Sequence, residues 1–149
     1  PQALLNGQHA VLLEFTSLRT IKKTIIVEAA EKMLERNISP SEYAPIAARV
    51  ERLNAAYTTV HKGDRSALSY QPGHGTRLEI NGQHILTIAG DDFAPLYFRI
   101  WLGEQPISTE MRDTLIVCLA NRAQIRQDRD PFMKVQCCRL SKGENTRHA

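Results

Sequence analysis

Adjacent carboxylates and two glycine-containing segments are the features of this sequence that most suggest chemistry. Asp91-Asp92 offers paired carboxylates for general acid–base work, but Asp is also a preferred helix cap, and adjacent residues ahead of a helix point apart. Lys62-Gly63-Asp64 and Gly73-His74-Gly75 invite comparison with phosphate loops, yet neither has the Walker order or a following helix. We interpret the aspartates as a helix cap and the glycine segments as turns.

The histidines and cysteines do not form a metal-binding pattern. His74 and His84 are expected to approach each other across a hairpin, but two histidines need a third ligand to hold a metal. Cys118, Cys137 and Cys138 include no C-x-x-C pair, and adjacent cysteines pair poorly with each other. We expect no metal and no cofactor, and the redox compartment stays open. No catalytic triad can be inferred from spacing, since such groups meet only in three dimensions.

Three aromatic residues recur at helical spacing. Phe93, Tyr97 and Trp101 fall at i, i+4 and i+8, so they share one face of a helix. Such a stripe either packs in the core or lines an apolar ligand cleft between a helix and a sheet.

Composition and charge narrow the class of protein. The 149 residues are 42% hydrophobic and 23% charged, which is typical of one soluble globular domain, and no stretch approaches the roughly 18 apolar residues of a membrane span. Residues 122–149 hold seven basic and three acidic residues, whereas residues 1–121 hold twelve basic and thirteen acidic ones. A near-neutral body with a basic tail is weak evidence for polyanion binding, so we expect no nucleic-acid role.

The periodicity predicts an order of strand, two helices, three strands and two helices. The first strand spans 9–16, and a helix over 21–36 follows, with Ile21, Ile25, Ala29 and Met33 on its apolar stripe. Ser39 and Glu42 form a capping box for a second helix, which buries Ile46, Val50 and Leu53.

A meander of strands follows. Strands are predicted over 66–71, 76–80 and 83–88, and Asn81-Gly82 favours a type I′ turn. A helix capped by Asp91 or Asp92 then runs to Leu102 and stops at a left-handed Gly103. Ser108 caps a last helix that reaches about residue 121, and residues 122–149 are predicted to be an irregular, basic tail. This is an α+β domain over 1–121, with an antiparallel sheet covered on one face.

Several motifs between Lys62 and Leu115 resemble the chalcone isomerase-like family of bacterial and eukaryotic proteins, and the strand through Phe15 extends the resemblance to about residues 9–115. The motifs are Lys62-Gly63-Asp64, Tyr70-Gln71-Pro72-Gly73-His74-Gly75-Thr76, Asn81-Gly82, Gly90-Asp91-Asp92-Phe93 and Ile100-Trp101-Leu102-Gly103-Glu104-Gln105-Pro106. The resemblance implies an open-faced β-sandwich, in which helices cover one side of a large antiparallel sheet.

The polar groups of the family's enzymes are not matched. The resemblance implies an Arg on an N-terminal strand, which we expect this chain to lack and for which Arg19 is not a counterpart. It also implies a Tyr and an Asn around the first long helix, where 20–27 supplies neither. Where the enzymes place a Thr near a helix end, this chain has Arg99, Ile100 and Trp101.

The resemblance therefore implies a domain without isomerase chemistry, which binds an apolar or fatty-acid-like ligand or acts as an accessory protein. The alternative is an intramolecular lyase of the chalcone–flavanone isomerase type. We expect ligand contacts from Phe15, Ile25, Phe98 and Trp101 and no catalytic residue. Localisation stays open: periplasmic or secreted if a leader has been removed, cytoplasmic otherwise.

Overall fold

A six-stranded antiparallel sheet forms the centre of the computed structural model, which describes residues 5–113 and the backbone of two further strands. Neighbouring strands follow the order β4-β3-β2-β1-β5, and β6 also pairs with β1. The strands are β1 His9–Ser17, β2 Arg65–Gln71, β3 Gly75–Ile80, β4 Gln83–Ile88, β5 Met133–Gln136 and β6 Leu140–Lys142.

One face of the sheet is buried, and β1 illustrates why. Val11, Leu13, Phe15 and Ser17 are buried, whereas the residues between them are only half-buried. Successive side chains of a strand point to opposite faces, so this alternation places one face of β1 under the helices. The predicted α+β class and the open-faced β-sandwich are confirmed.

The β3–β4 hairpin has the predicted turn. Asn81 (φ 51°) and Gly82 (φ 80°) both lie in the left-handed region that a type I′ turn requires. The Asn81 side chain also accepts a hydrogen bond from the Arg65 backbone N–H at 2.8 Å and donates to Asp64 at 3.2 Å. The turn is therefore joined to the start of β2 and to the Lys62-Gly63-Asp64 turn before it.

The helices lie on the buried face. They are α1 Lys23–Asn37, α2 Pro40–Tyr43, α3 Ala47–Ala56, α4 Phe93–Tyr97 and α5 Arg99–Leu102, and a 3-10 turn, Ala44–Ile46, joins α2 to α3. The capping box of Ser39 and Glu42 is confirmed. The second predicted helix is divided because Pro45 has no N–H to donate to the preceding turn. Among the described residues, no helix is long and apolar enough to cross a membrane.

Two predicted helix ends are wrong. Asp92 occupies the N-cap position of α4 but makes no capping hydrogen bond, and Asp91 is bonded elsewhere. Gly103 ends α5 with φ −78°, not in the left-handed region. Glycine is required at position 103 because there is no space for a side chain: an added Cβ would lie 2.5 Å from the Arg99 carbonyl oxygen and 2.6 Å from Asn37 Oδ1. Both errors arise because distant residues, not the local chain, decide these positions.

The region after residue 108 is partly corrected. Ser108 accepts a hydrogen bond from the Met111 N–H at 3.1 Å, as a helix cap does, and residues 109–113 are helical. The rest of the helix predicted to reach about 121 lies outside the described residues. The prediction of an irregular tail is wrong at β5 and β6, which both pair antiparallel with β1. Their pairing supplies hydrogen bonds that no hydrophobic periodicity signals.

Candidate functional site

Five aromatic side chains from β1, α4, α5 and the residue between the two helices form what we term the aromatic cluster: Phe15, Phe93, Tyr97, Phe98 and Trp101. The Trp101 ring centroid lies 5.2 Å from that of Phe15, 5.9 Å from that of Tyr97 and 6.5 Å from that of Phe98. Phe93 stacks on Tyr97 at 5.1 Å, so the predicted stripe does share one face. Trp101 is half-buried, whereas its four neighbours are buried.

Of the four residues predicted to contact a ligand, the structure brings three together. The rings of Phe15 and Phe98 each lie beside that of Trp101, but Ile25 is 54% exposed and does not lie in the core between sheet and helices. The predicted orientation of Ile25 is therefore wrong. Ile21, which the predicted stripe also included, precedes α1 and pairs with Val60. The buried face of α1 passes instead through Ala30, Met33 and Leu34, which lie away from Ile25 on the helix surface.

A buried pair of tyrosines adjoins the aromatic cluster. The hydroxyl oxygens of Tyr57 and Tyr97 lie 3.5 Å apart. Burial raises the pKa of Tyr57 to about 12 and raises the pKa of Tyr97 well above its usual value. Both hydroxyls therefore stay neutral near pH 7, and a neutral phenol is a poor general base.

Asp91 joins three segments that sequence reasoning treated separately. The Tyr70 hydroxyl lies 2.6 Å from the Gly7 carbonyl oxygen and 3.0 Å from Asp91 Oδ1, and the Gly73 N–H donates to the same carboxylate oxygen at 2.9 Å. Burial, followed by the Asp91 carboxylate, raises the pKa of Tyr70 to about 12. Asp91 therefore fastens the β2–β3 turn to the start of α4, and the two aspartates do not act as a carboxylate pair.

Asp92 makes an ion pair with Arg49 of α3. Both carboxylate oxygens accept from the guanidinium at 2.7 Å, and this bidentate bond holds the pKa of Asp92 below its usual range. The Arg49 side chain also lies 6.0 Å from the Phe93 ring centroid. The pair therefore positions α4, whose Phe93 belongs to the aromatic cluster.

His84 of the hairpin has a different partner from the one predicted. His84 Nε2 lies 2.8 Å from the Thr87 hydroxyl, a neighbour on its own strand. In the part of the chain that the structure describes, no group of three or more His, Cys, Asp or Glu side chains is arranged to hold a metal. The three cysteines lie outside the described residues.

A polar groove that sequence reasoning missed lies between the end of α1 and the segment after α5. It has a volume of about 660 Å³, and we call it the arginine groove because Arg36, Arg99 and Arg112 all line it. The three arginines come from α1, α5 and the helical residues 109–113. Arg36 and Arg99 are 63 residues apart in sequence, and Arg99 and Arg112 are 13 apart, so no local motif could have indicated the groove.

Asn37 builds the wall of the arginine groove. Its side-chain amide donates to the Met33 carbonyl at 2.7 Å and to the Gln105 carbonyl at 2.8 Å. Its Oδ1 accepts from the Gln105 N–H at 2.9 Å. This two-way amide contact fastens the segment after α5 to the C-terminal end of α1, and it explains why Gly103 has no room for a side chain.

The one-sided antiparallel sheet and the helices over it define an α+β protein of the open-faced β-sandwich class. A family model described as chalcone isomerase-like matches residues 1–116, and the chain belongs to this family. No curated protein and no solved structure matches the chain with significance. The resemblance seen in the sequence motifs is thereby confirmed.

Proposed function

We propose that this chain is a non-catalytic chalcone isomerase-like domain that binds an apolar or fatty-acid-like ligand against the aromatic cluster, or that acts as an accessory protein. The observation that carries the proposal is the position of Trp101. It is the half-buried edge of an otherwise buried set of aromatic rings, where β1 and α5 meet. An apolar chain laid against Trp101 would extend this set of rings outward.

Binding of that kind draws its free energy from burial of apolar surface. At about 25 cal/mol per Å², a ligand that covers some 150 Å² of apolar area gains about 4 kcal/mol, which corresponds to weak, millimolar affinity. Trp101 itself is amphipathic, and its indole N–H suits an interface between an apolar core and water. We therefore expect affinity to grow with chain length and to depend little on the head group.

The absence of isomerase chemistry rests on the ionisable groups near the cluster. Ring closure of a chalcone needs its phenolate held and the developing enolate stabilised. The Tyr57 and Tyr97 hydroxyls are buried against each other with raised pKa values, and the 20–27 stretch offers neither the Tyr nor the Asn that the family's enzymes use. These side chains do not supply the polar contacts that the reaction requires.

The test uses the single tryptophan as the reporter. Trp101 emission is followed while the whole chain is titrated with a long-chain fatty acid and, separately, with the alcohol of equal length. Similar quenching by both ligands supports an apolar site. A strong preference for the acid assigns the head group to a cationic side chain and contradicts the expected indifference. No quenching by either ligand overturns the proposal.

Two variants and one assay sharpen the result. Trp101→Ala should weaken calorimetric binding by about tenfold through lost apolar contact, whereas Ile25→Ala, which removes an exposed side chain outside the cluster, should leave it unchanged. Absorbance of a hydroxychalcone should fall no faster with the protein than without it. Stereospecific flavanone formed above the spontaneous rate would favour the isomerase alternative.

A further inference from the structure

The arginine groove holds an excess of positive charge from side chains of three separate elements. Arg36, Arg99 and Arg112 line it, together with one carboxylate, that of Glu104. Like charges gathered at one surface repel one another. Glu42 offsets the charge of Arg99 and Asp113 that of Arg112, whereas Arg36 has no carboxylate partner among the described residues. Guanidinium groups present their N–H donors in a planar fork that matches phosphate and carboxylate oxygens.

Two of the three arginines are already held in place by the protein. Arg99 Nη1 donates to the Asn37 carbonyl at 3.1 Å and lies 3.2 Å from the Glu42 carboxylate. Arg112 Nη1 donates to the Gly103 carbonyl at 3.2 Å, and Arg112 Nε lies 3.5 Å from Asp113 Oδ1. Each guanidinium has five N–H donors, so these contacts leave further donors on both side chains. Side chains fixed in this way lose little conformational freedom when a ligand binds.

Arg36 differs from the other two. Within the described part of the chain its guanidinium makes no hydrogen bond and no ion pair, although it stands in the last turn of α1 beside the groove. A cation in this position interacts favourably with the negative end of the helix dipole, which explains its presence on the helix but not the convergence with Arg99 and Arg112.

We infer that the arginine groove binds a small multivalent oxyanion, a molecule that carries two or more negative charges on phosphate or carboxylate groups. This inference does not depend on the apolar ligand proposed above, because Arg99 and Leu102 line the groove while Phe98 and Trp101 belong to the aromatic cluster. The groove volume of about 660 Å³ is that of a small-molecule site.

The experiment titrates the whole chain with pyrophosphate and with citrate by calorimetry at constant ionic strength, with acetate as the monovalent control. If only pyrophosphate binds, saturably and one to one, the ligand of the groove carries phosphate groups. If only citrate binds in this way, the ligand is a polycarboxylate. If both pyrophosphate and citrate bind, the groove recognises the ligand's negative charge and not the type of acid group. Acetate should not saturate. Failure of both multivalent anions to bind overturns the inference.

The variant Arg36→Gln separates a built site from general surface charge. Arg36 has no hydrogen-bond or ion-pair partner among the described residues and contributes to stability only through the helix dipole, so its loss should lower the melting temperature only slightly. Affinity should fall about tenfold, the value of one charge-assisted hydrogen bond. Arg52→Gln is the matched control, since Arg52 is an exposed arginine of α3 that does not line the groove. Equal weakening by the two variants would show only diffuse attraction and would refute the site.

Discussion

The Arg49–Asp92 pair joins α3 to the segment between β4 and α4, and we expect its two charges to be energetically coupled. The guanidinium donates to both Asp92 oxygens at 2.7 Å. It also donates to the carbonyl oxygens of Ala89 and Pro45, both at 3.1 Å. One side chain therefore makes four hydrogen bonds to three separate points of the fold.

The magnitude follows from geometry and exposure. Exposed ion pairs are worth about 0.2–1 kcal/mol, and a bidentate pair lies at the upper end of that range. The side chains of Arg49 and Asp92 are 23% and 57% exposed, so solvent screens the pair in part. We expect a coupling free energy of about 1 kcal/mol. Replacing Arg49 alone should cost about 2–3 kcal/mol, because both carbonyl oxygens lose their donor as well.

A double-mutant cycle in urea measures this coupling. Arg49→Met keeps the aliphatic stem and Asp92→Asn keeps the shape of the carboxylate, so the cycle isolates the charge interaction. The matched control is the cycle on Arg77 and Glu79, an ion pair at 3.2 Å whose side chains are 50% and 36% exposed. Coupling at Arg49–Asp92 that is no greater than in this control cycle would refute the reasoning.

The dependence of stability on pH provides a second measurement of the Arg49–Asp92 ion pair. The bond to Arg49 lowers the pKa of Asp92 in the folded state, so its contribution to stability is complete above the usual Asp pKa of about 3.9 and is lost as pH falls below it. Asp92→Asn should therefore flatten the loss of stability in acid. An acid profile that is unchanged in this variant would contradict the assignment.

Three further predictions follow from contacts of the fold. Tyr70→Phe should lower the free energy of unfolding by about 1–2 kcal/mol, because the Tyr70 hydroxyl bonds to Gly7 and Asp91. Tyr43→Phe is the control and should cost much less, since no hydrogen bond of the Tyr43 hydroxyl is found among the described residues. Equal losses in the two variants would contradict the role of the Tyr70 hydrogen bonds. Gly103→Ala should lower the free energy of unfolding by about 1–3 kcal/mol, since the added Cβ would crowd Arg99 and Asn37. An unchanged free energy of unfolding in urea would show instead that the segment around Gly103 can move to make room. Burial raises the pKa values of Tyr57 and Tyr97, so stability should be lost as pH rises above the usual Tyr value of about 10. The tyrosinate absorbance of these two residues should appear together with unfolding, and their ionisation in the folded chain would oppose this.

Features decided within a few residues of chain could be predicted from the sequence. The Ser39 capping box needs only Glu42 three residues away, and the Asn81-Gly82 turn needs only its own backbone preferences. Each of these was confirmed, because the physical cause and the sequence signal are in the same short segment.

The failures concern positions whose partners lie far away in sequence. Asp92 is bonded to a residue 43 positions earlier, and Asn37 to one 68 positions later. Local rules assign Asp before a helix to capping and Gly after a helix to a left-handed end, and both assignments were overturned by such long-range contacts. Ile25 was misplaced because the buried face of α1 is set by Ala30 and Leu34, which lie about 140° and 180° from Ile25 around the helix.

The short helix α5 explains why the two proposed sites need different variants to test them. A helix of four residues has too few internal hydrogen bonds to be stable alone, so its place depends on its neighbours. Arg99 supplies part of that support through the Asn37 carbonyl, and the same helix carries Trp101 of the aromatic cluster. A substitution at Arg99 would therefore disturb both the cluster and the arginine groove, whereas one at Arg36 removes a charge from the groove and leaves the supports of α5 intact.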